Sequence, residues 1–190
     1  IFNPDLNLPE KPHLFLEFHG SDASVKEQVE LFEGVGEEFG ALDFAWATKA
    51  EDRARLWAAR HNAYYAGKSL RKGCESVVTD CCVPISELAD CIARTKEIID
   101  EAGLIAPIVG HVGDGNFHLL ILFDPNDPEE LTKAKQLASD VNRVALSFGG
   151  TVTGEHGVGT GKKKYMVEEH GAAYALMATL KRAVDPENIM

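Results

Sequence analysis

Gly110-His111-Val112-Gly113-Asp114-Gly115-Asn116-Phe117-His118 stands between two apolar runs, residues 104–109 and 119–123. Asp-Gly between such runs favours a two-residue type I′ hairpin turn, because both central positions need positive φ. With Asp114 and Gly115 as the turn, 113 pairs with 116, 112 with 117 and 111 with 118. His111 and His118 are then directly opposite on one sheet face, their Cβ atoms roughly 4.5–5.5 Å apart. Two imidazoles so held can chelate one ion at metal–nitrogen distances of about 2.0–2.1 Å. The plainer reading is a hairpin with two incidental histidines. Two in register beside a glycine-rich turn favour the metal.

Outward from the hairpin, helical and strand patterns alternate. Residues 13–19 alternate in polarity and predict a strand. Ser21 or Asp22 then caps a helix with Val25, Val29, Phe32 and Phe39 on its apolar side, closed by Gly40. Residues 42–47 predict a second strand, and 50–66 a helix with Arg53, Trp57, Arg60 and Tyr64 on one face. Residues 76–84 read as a strand, followed by a helix capped by Ser86 and ended by Gly103. After the hairpin strands 104–111 and 116–123, Asp127-Pro128 opens a long helix carrying Leu131, Leu137, Val141, Val144 and Phe148. Gly149-Gly150 stops it, 151–153 make a short strand, and two short helices follow near 160–169 and 172–184. Residues 1–12, with Pro4, Pro9 and Pro12, predict an extended lead-in. The pattern is that of an α+β, ferredoxin-like fold, an antiparallel or mixed sheet covered by helices, with short C-terminal helices. Residues 1–190 read as one compact domain.

The bulk properties narrow the function. The 190 residues are 45% hydrophobic and 26% charged, ordinary for a soluble globular protein. No apolar run is long enough to span a bilayer, and no signal peptide is visible. The net charge of −11 argues against nucleic acid, which needs clustered cations. It also requires a local cation wherever an anionic substrate binds. Cys74, Cys81, Cys82 and Cys91 form no CxxC pair and read as small core residues in a reducing compartment. The chain begins at Ile1 rather than Met, so it reads as a piece of something longer, with any targeting signal upstream of what can be read.

Thr153-Gly154-Glu155-His156-Gly157 offers a third ligand. Glu155 would complete a two-histidine, one-carboxylate set with open positions, suited to Zn²⁺, Mn²⁺ or Fe²⁺. Strand neighbours point to opposite faces, so Glu155 and His156 share a site only if the backbone leaves the pleat. Gly154 and Gly157 allow that departure; a solvated glycine-rich loop is the plainer alternative. The following Gly157-Val158-Gly159-Thr160-Gly161-Lys162 is not a phosphate loop, since neither Walker A nor GxGxxG spacing is met. Lys162, Lys163 and Lys164 could still draw an anion toward the site.

These motifs carry a resemblance. GHVGDGNFH, then GEHGVGTGK, then the closing Asp185-Pro186-Glu187-Asn188-Ile189-Met190, resemble the C-terminal domain of FAD-linked oxidases of the vanillyl-alcohol-oxidase superfamily, nearest its D-lactate dehydrogenase, glycolate oxidase and D-2-hydroxyglutarate dehydrogenase branch. The likeness covers essentially the whole chain. It implies a cap and substrate domain whose FAD is bound mainly by an N-terminal domain absent from this chain. It implies His111, His118 and Glu155 as metal ligands, His156 as the general base, and Arg60, in Trp57-Ala58-Ala59-Arg60, as the partner of the substrate carboxylate. Tyr64 falls where a relative has a substrate-contacting residue of another type. Residues of this chain that touch FAD are not identified.

The implied reaction is metal-assisted, FAD-dependent oxidation of a D-2-hydroxy acid such as D-lactate to the 2-oxo acid. Its implied partners are the hydroxy acid, the FAD-binding domain and an electron acceptor, with self-association left open. The implied location is the bacterial cytoplasm or the mitochondrion, without secretion. Alone, the chain is expected to be inactive. Two rival readings remain at this point: a metal-dependent hydrolase built on the same His-His-Glu set, and a non-catalytic ferredoxin-like binding module with structural histidines.

Overall fold

The computed structural model describes residues 11–190. The chain divides into two compact units, Ile1–Ala66 and Gly67–Met190. Most of the lead-in expected for residues 1–12 lies outside the described residues.

In the first unit, α1 spans Asp22–Glu38 and α2 spans Ala50–His61. Ser21 caps α1 by accepting from the Ser24 N–H at 3.4 Å, which satisfies one of the orphan donors of the first turn. The strands expected at 13–19 and 42–47 are not present. Their aromatic residues join the α1 side chain Phe32 instead: Phe18 and Phe44 lie 6.1 and 6.2 Å from it between ring centroids, and Trp46 stacks on Phe44 at 6.0 Å. Alternation provides an apolar face, which a helix can cover as well as a sheet can. Only a partnering backbone makes a strand.

The second unit takes up the chain within α3, Ala63–Lys68, and is built on one long central strand, β4, Asn116–Phe123. On one side of β4 runs a single antiparallel strand broken in two: β1, Glu75–Val78, and β2, Cys81–Cys82. Glu75 faces Phe123, Val78 faces Leu120, and Cys81 faces Phe117, so the register is unchanged across the gap at Thr79 and Asp80. On the other side lies β3, Ile108–His111, and that edge continues through Leu120 N–H to the Pro107 carbonyl and Leu122 N–H to the Ile105 carbonyl. The sheet is antiparallel throughout, as an α+β fold allows.

Pleating separates the residues of β4. Phe117, Leu119, Ile121 and Phe123 enter the main core with Cys81 and Val83. Two helices cover that face: α4, Ile85–Ala102, through Leu88 and Cys91, and α5, Pro128–Ser147, through Ala134, Leu137, Val141 and Ala145. Each fully buried aliphatic or aromatic side chain contributes about 1.5–3 kcal/mol here, enough to fix which face of the sheet is covered. Asp127 caps α5 through the Glu129 and Glu130 N–H groups at 2.9 and 3.1 Å, and Gly103 closes α4 in the left-handed conformation. Ser86 lies inside α4, not at its cap, because Pro84 already occupies the capping position. The alternate residues of β4, Asn116 and His118 at one end and Leu120 and Leu122 at the other, belong to the opposite face. There Leu120 and Leu122 pack with Cys74.

After α5, residue Thr151 bridges to Cys82 as the one trace of the short strand expected at 151–153. The chain then passes through α6, Met166–His170, and α7, Ala173–Val184. All four cysteines are free, and burial pushes the Cys81 thiol up to about 12. Among the described residues no helix is long and apolar enough to cross a membrane.

Candidate metal centre on the sheet face away from the two core helices

The hairpin between β3 and β4 does not turn at Asp114 and Gly115 alone. Val112–Asp114 form a 3-10 turn, Gly115 follows with φ +74°, and His111 faces Asn116. The pairing of His111 with His118 is therefore corrected: Val109 faces His118, and His111 stands two positions along the same face. The cause is tertiary. The Gly115 carbonyl accepts the Val83 N–H at 3.0 Å, and a Cβ on Gly115 would come within 2.0 Å of the Val83 carbonyl oxygen. Such close backbone approach holds the longer loop in place against the strand that follows β2.

His118 is fixed by an exchange of partners at Thr79. In an unbroken ladder the Leu119 N–H would donate to the Thr79 carbonyl. Here it donates to Thr79 Oγ1 at 2.9 Å, and the freed carbonyl lies 3.0 Å from His118 Nδ1. A carbonyl can only accept, so Nδ1 carries a hydrogen, and Nε2 is the ring nitrogen left to face Glu155. This exchange is the break between β1 and β2.

Glu155 and His156 approach the same ring from the loop after Thr151. Glu155 Oε1 lies 2.9 Å from His118 Nε2 and 3.4 Å from His156 Nε2. The two imidazoles meet edge to face with centroids 5.3 Å apart. Both neighbours reach one site because their backbone is turned around Asp80. Its carboxylate accepts the Glu155 N–H at 3.1 Å and the His156 N–H at 2.8 Å. Successive N–H groups converging on one anion form a nest. Gly154 passes so close that a Cβ would meet Asn116 Nδ2 at 2.2 Å and Asp80 Oδ1 at 3.0 Å. Burial opposes ionisation of Asp80, but the His156 and Glu155 N–H groups, Lys162 and Asn116 outweigh it and hold the carboxyl below its ordinary value.

Asp80, His118, Glu155 and His156 each offer a ligand atom, all within 4.8 Å of one another. The donor set fits a divalent ion. In the neutral ring with its hydrogen on Nδ1, the lone pair of His118 Nε2 would face a carboxylate oxygen, and a cation held by both would relieve that repulsion. Beside them Asn116 Oδ1 is a buried acceptor with no protein donor among the described residues. His111 is exposed and lies outside this group. Arg60 is on α2, in the first unit.

Asp80 and Asn116 were not anticipated as site residues. Their signal in the sequence is a polar pair, Thr79-Asp80, inside the otherwise apolar run 77–83, and an asparagine opening an apolar strand. Polar groups at such places are retained only with partners.

The chain belongs to the family described as FAD linked oxidases, C-terminal domain, which matches residues 3–190. It is 48% identical over 187 residues to a probable mitochondrial D-lactate dehydrogenase of Danio rerio, covering 98% of this chain and 38% of that protein. It is 40% identical over 185 residues to the mitochondrial D-lactate dehydrogenase (cytochrome) of Arabidopsis thaliana, covering 97% of this chain and 33% of that protein. The glycolate oxidase subunit GlcD of Escherichia coli K12 is 29% identical over 178 residues, with 93% and 35% covered. Among solved structures, 4-ethylphenol oxidase from Gulosibacter chungangensis shares the fold at TM-score 0.61 and 17% identity, over 90% of this chain and 36% of that one. The chain thus spans between 33% and 38% of the length of these proteins.

Proposed function

We propose that this chain is the cap and substrate domain of an FAD-linked dehydrogenase that oxidises a D-2-hydroxy acid, D-lactate or a close analogue, to the 2-oxo acid. The observation that carries this reading is the convergence of His118 Nε2, Glu155 and His156 on the face of the sheet away from α4 and α5, in a chain of the FAD-linked oxidase family. The relatives' names, D-lactate dehydrogenase and glycolate oxidase, support the substrate class. The mitochondrial relatives support a mitochondrial location.

His118 and Glu155 are the proposed metal ligands, with His111 as the third. The support for His111 is its motif and its position on the same face as His118. His156 is the proposed base, its side chain 64% exposed and open to a substrate. A divalent ion, Zn²⁺, Mn²⁺ or Fe²⁺, would orient the substrate and acidify its hydroxyl, and FAD, when bound, would supply the hydride acceptor. His156 accepts the hydroxyl proton on a ring nitrogen, a task suited to imidazole near neutral pH. Arg60 offers the substrate carboxylate a two-pronged partner, a role that rests on its motif alone. The family likeness, together with the chain's coverage of only 38% of the Danio rerio relative, supports a flavin bound mainly by an FAD-binding domain outside this chain.

The test is reconstitution. The 190-residue chain alone is expected to be colourless and without dehydrogenase activity. Joined to its FAD-binding half and loaded with metal, it should reduce an artificial electron acceptor with D-lactate and not with L-lactate. Flavin retained by the isolated chain, or no turnover of any D-2-hydroxy acid by the loaded whole, would overturn the reading.

A further inference from the structure

We propose that Asp80 is the positioning residue of this centre: its buried carboxylate sets the turn that brings Glu155 and His156 to His118, without itself binding the ion or the substrate. The proposal rests on the metal reading above and goes beyond it, because Asp80 lies outside both histidine motifs.

The case begins with register. Val78 faces Leu120 and Cys81 faces Phe117, so Asp80 falls opposite His118 on the face away from the helices. There it is only 3% exposed, and a buried carboxylate must be matched by donors. Oδ2 accepts from the His156 N–H at 2.8 Å and the Glu155 N–H at 3.1 Å, and Lys162 Nζ lies 3.3 Å from it. Oδ1 accepts from Asn116 Nδ2 at 3.1 Å and shares the Glu155 N–H at 3.2 Å. The Asp80 carbonyl accepts the Gly154 N–H at 3.1 Å, anchoring the same loop one residue earlier.

This census decides between ligand and anchor. A carboxylate has about four lone-pair sites, and two backbone donors, an amide and an ammonium already use them. His118 Nδ1 is 3.6 Å from Oδ1, too long for a hydrogen bond, and its hydrogen goes to the Thr79 carbonyl. The acceptor positions of Asp80 are therefore taken by protein donors, while Glu155 Oε1 lies 2.9 Å from His118 Nε2. Lys162 balances the buried charge, so the net charge of the ligand set is left to Glu155.

The work is also conformational. Neighbouring residues of a strand diverge, yet Glu155 and His156 both reach the His118 ring. Two consecutive N–H groups drawn onto one anion give the backbone the bend that makes this happen. Replacing the carboxylate by an amide of the same shape removes the charge and one of the two acceptor oxygens, so the Glu155 and His156 N–H groups, Asn116 and Lys162 compete for a single neutral oxygen and the bend is held less firmly.

The experiment uses the protein that carries this chain together with its FAD-binding half, titrated with Zn²⁺ by calorimetry and with Mn²⁺ by electron paramagnetic resonance. Asp80→Asn should weaken both metals by about 10–100-fold, the range for outer-shell changes, and alter the bound Mn²⁺ line shape. Tyr165→Phe, which removes a buried hydrogen bond to Ser139 in the same unit, should lower the melting temperature while leaving both metal readouts at wild-type values. Gly154→Ala keeps every polar atom but crowds Asp80 and Asn116, and should reproduce the Asp80→Asn line shape. It decides the matter if Asp80→Asn does not fold. Wild-type affinity and line shape in the folded Asp80→Asn protein, or in Gly154→Ala where Asp80→Asn does not fold, overturn the positioning role and leave the metal reading standing. A wild-type protein that takes up neither metal overturns both.

Discussion

His118 Nε2 stands 2.9 Å from Glu155 Oε1, while the other ring nitrogen is committed to the carbonyl of Thr79. The ring thus has one structural nitrogen and one available nitrogen, as histidine ligands do when an outer partner fixes their tautomer. His118→Ala and Glu155→Gln should each weaken metal binding more than the outer-shell change at Asp80 does. His111→Ala should also lose metal. His156→Ala should keep it and lose turnover by about 10²–10⁴-fold, the range for removing a general base. Metal content and single-turnover flavin reduction, measured on all four proteins, separate the roles. Metal lost from His156→Ala but kept by His111→Ala would exchange the assignments of these two histidines.

The loop that places His111 depends on Gly115, whose φ of +74° and contact with the Val83 carbonyl admit no side chain. Gly115→Ala should destabilise the protein by more than about 1 kcal/mol, since it combines an unfavourable backbone conformation with a backbone clash. Urea denaturation measures this. A variant as stable as the wild type would show that the loop is free to move, and with it the register of β3 against β4.

A salt bridge distant from the metal centre supplies a pH test. Arg71 Nη1 lies 2.6 Å from Glu130 Oε1, and the other Glu130 oxygen accepts the Asp124 N–H at 2.6 Å. The Arg71 hydrogen bond first, and the Asp124 N–H next, hold the Glu130 carboxyl below its ordinary value. A carboxyl whose folded pKa is depressed stabilises the fold above its unfolded pKa, about 4.3, and that contribution is lost as pH falls through the lower folded value. Glu130→Gln should therefore melt below the wild type at neutral pH, with the gap closing on the acid side. Melting curves across that range check the sign. A gap that widens as pH falls would refute it.

How far the fold was legible depends on how local its causes are. Asp127-Pro128 before an amphipathic run and Gly103 after one are signals read within a few residues, and α5 and α4 start and stop where those signals stand. The apolar run at β4 is similar: eight residues with β-branched and aromatic members make a strand in any α+β setting. The stretches 13–19 and 42–47 also predicted strands and did not become them, because a strand needs a neighbour's backbone and α1 supplied side chains instead.

The sequence by itself determined the chemistry on offer: two histidine motifs, the Glu155-His156 pair, an acidic chain without a phosphate loop, and a likeness specific enough to identify the family. These are properties of residue type and spacing. Only the tertiary structure decided which groups meet. One contact at Val83 lengthened the hairpin loop and moved His111 out of line with His118. One hydroxyl, on Thr79, took a ladder bond and released the carbonyl that orients the His118 ring. Asp80, far from either motif in the chain, drew Glu155 and His156 to the same side. A turn's register and a ring's tautomer depend on single hydrogen bonds between segments distant in sequence. Local patterns carry no record of those bonds.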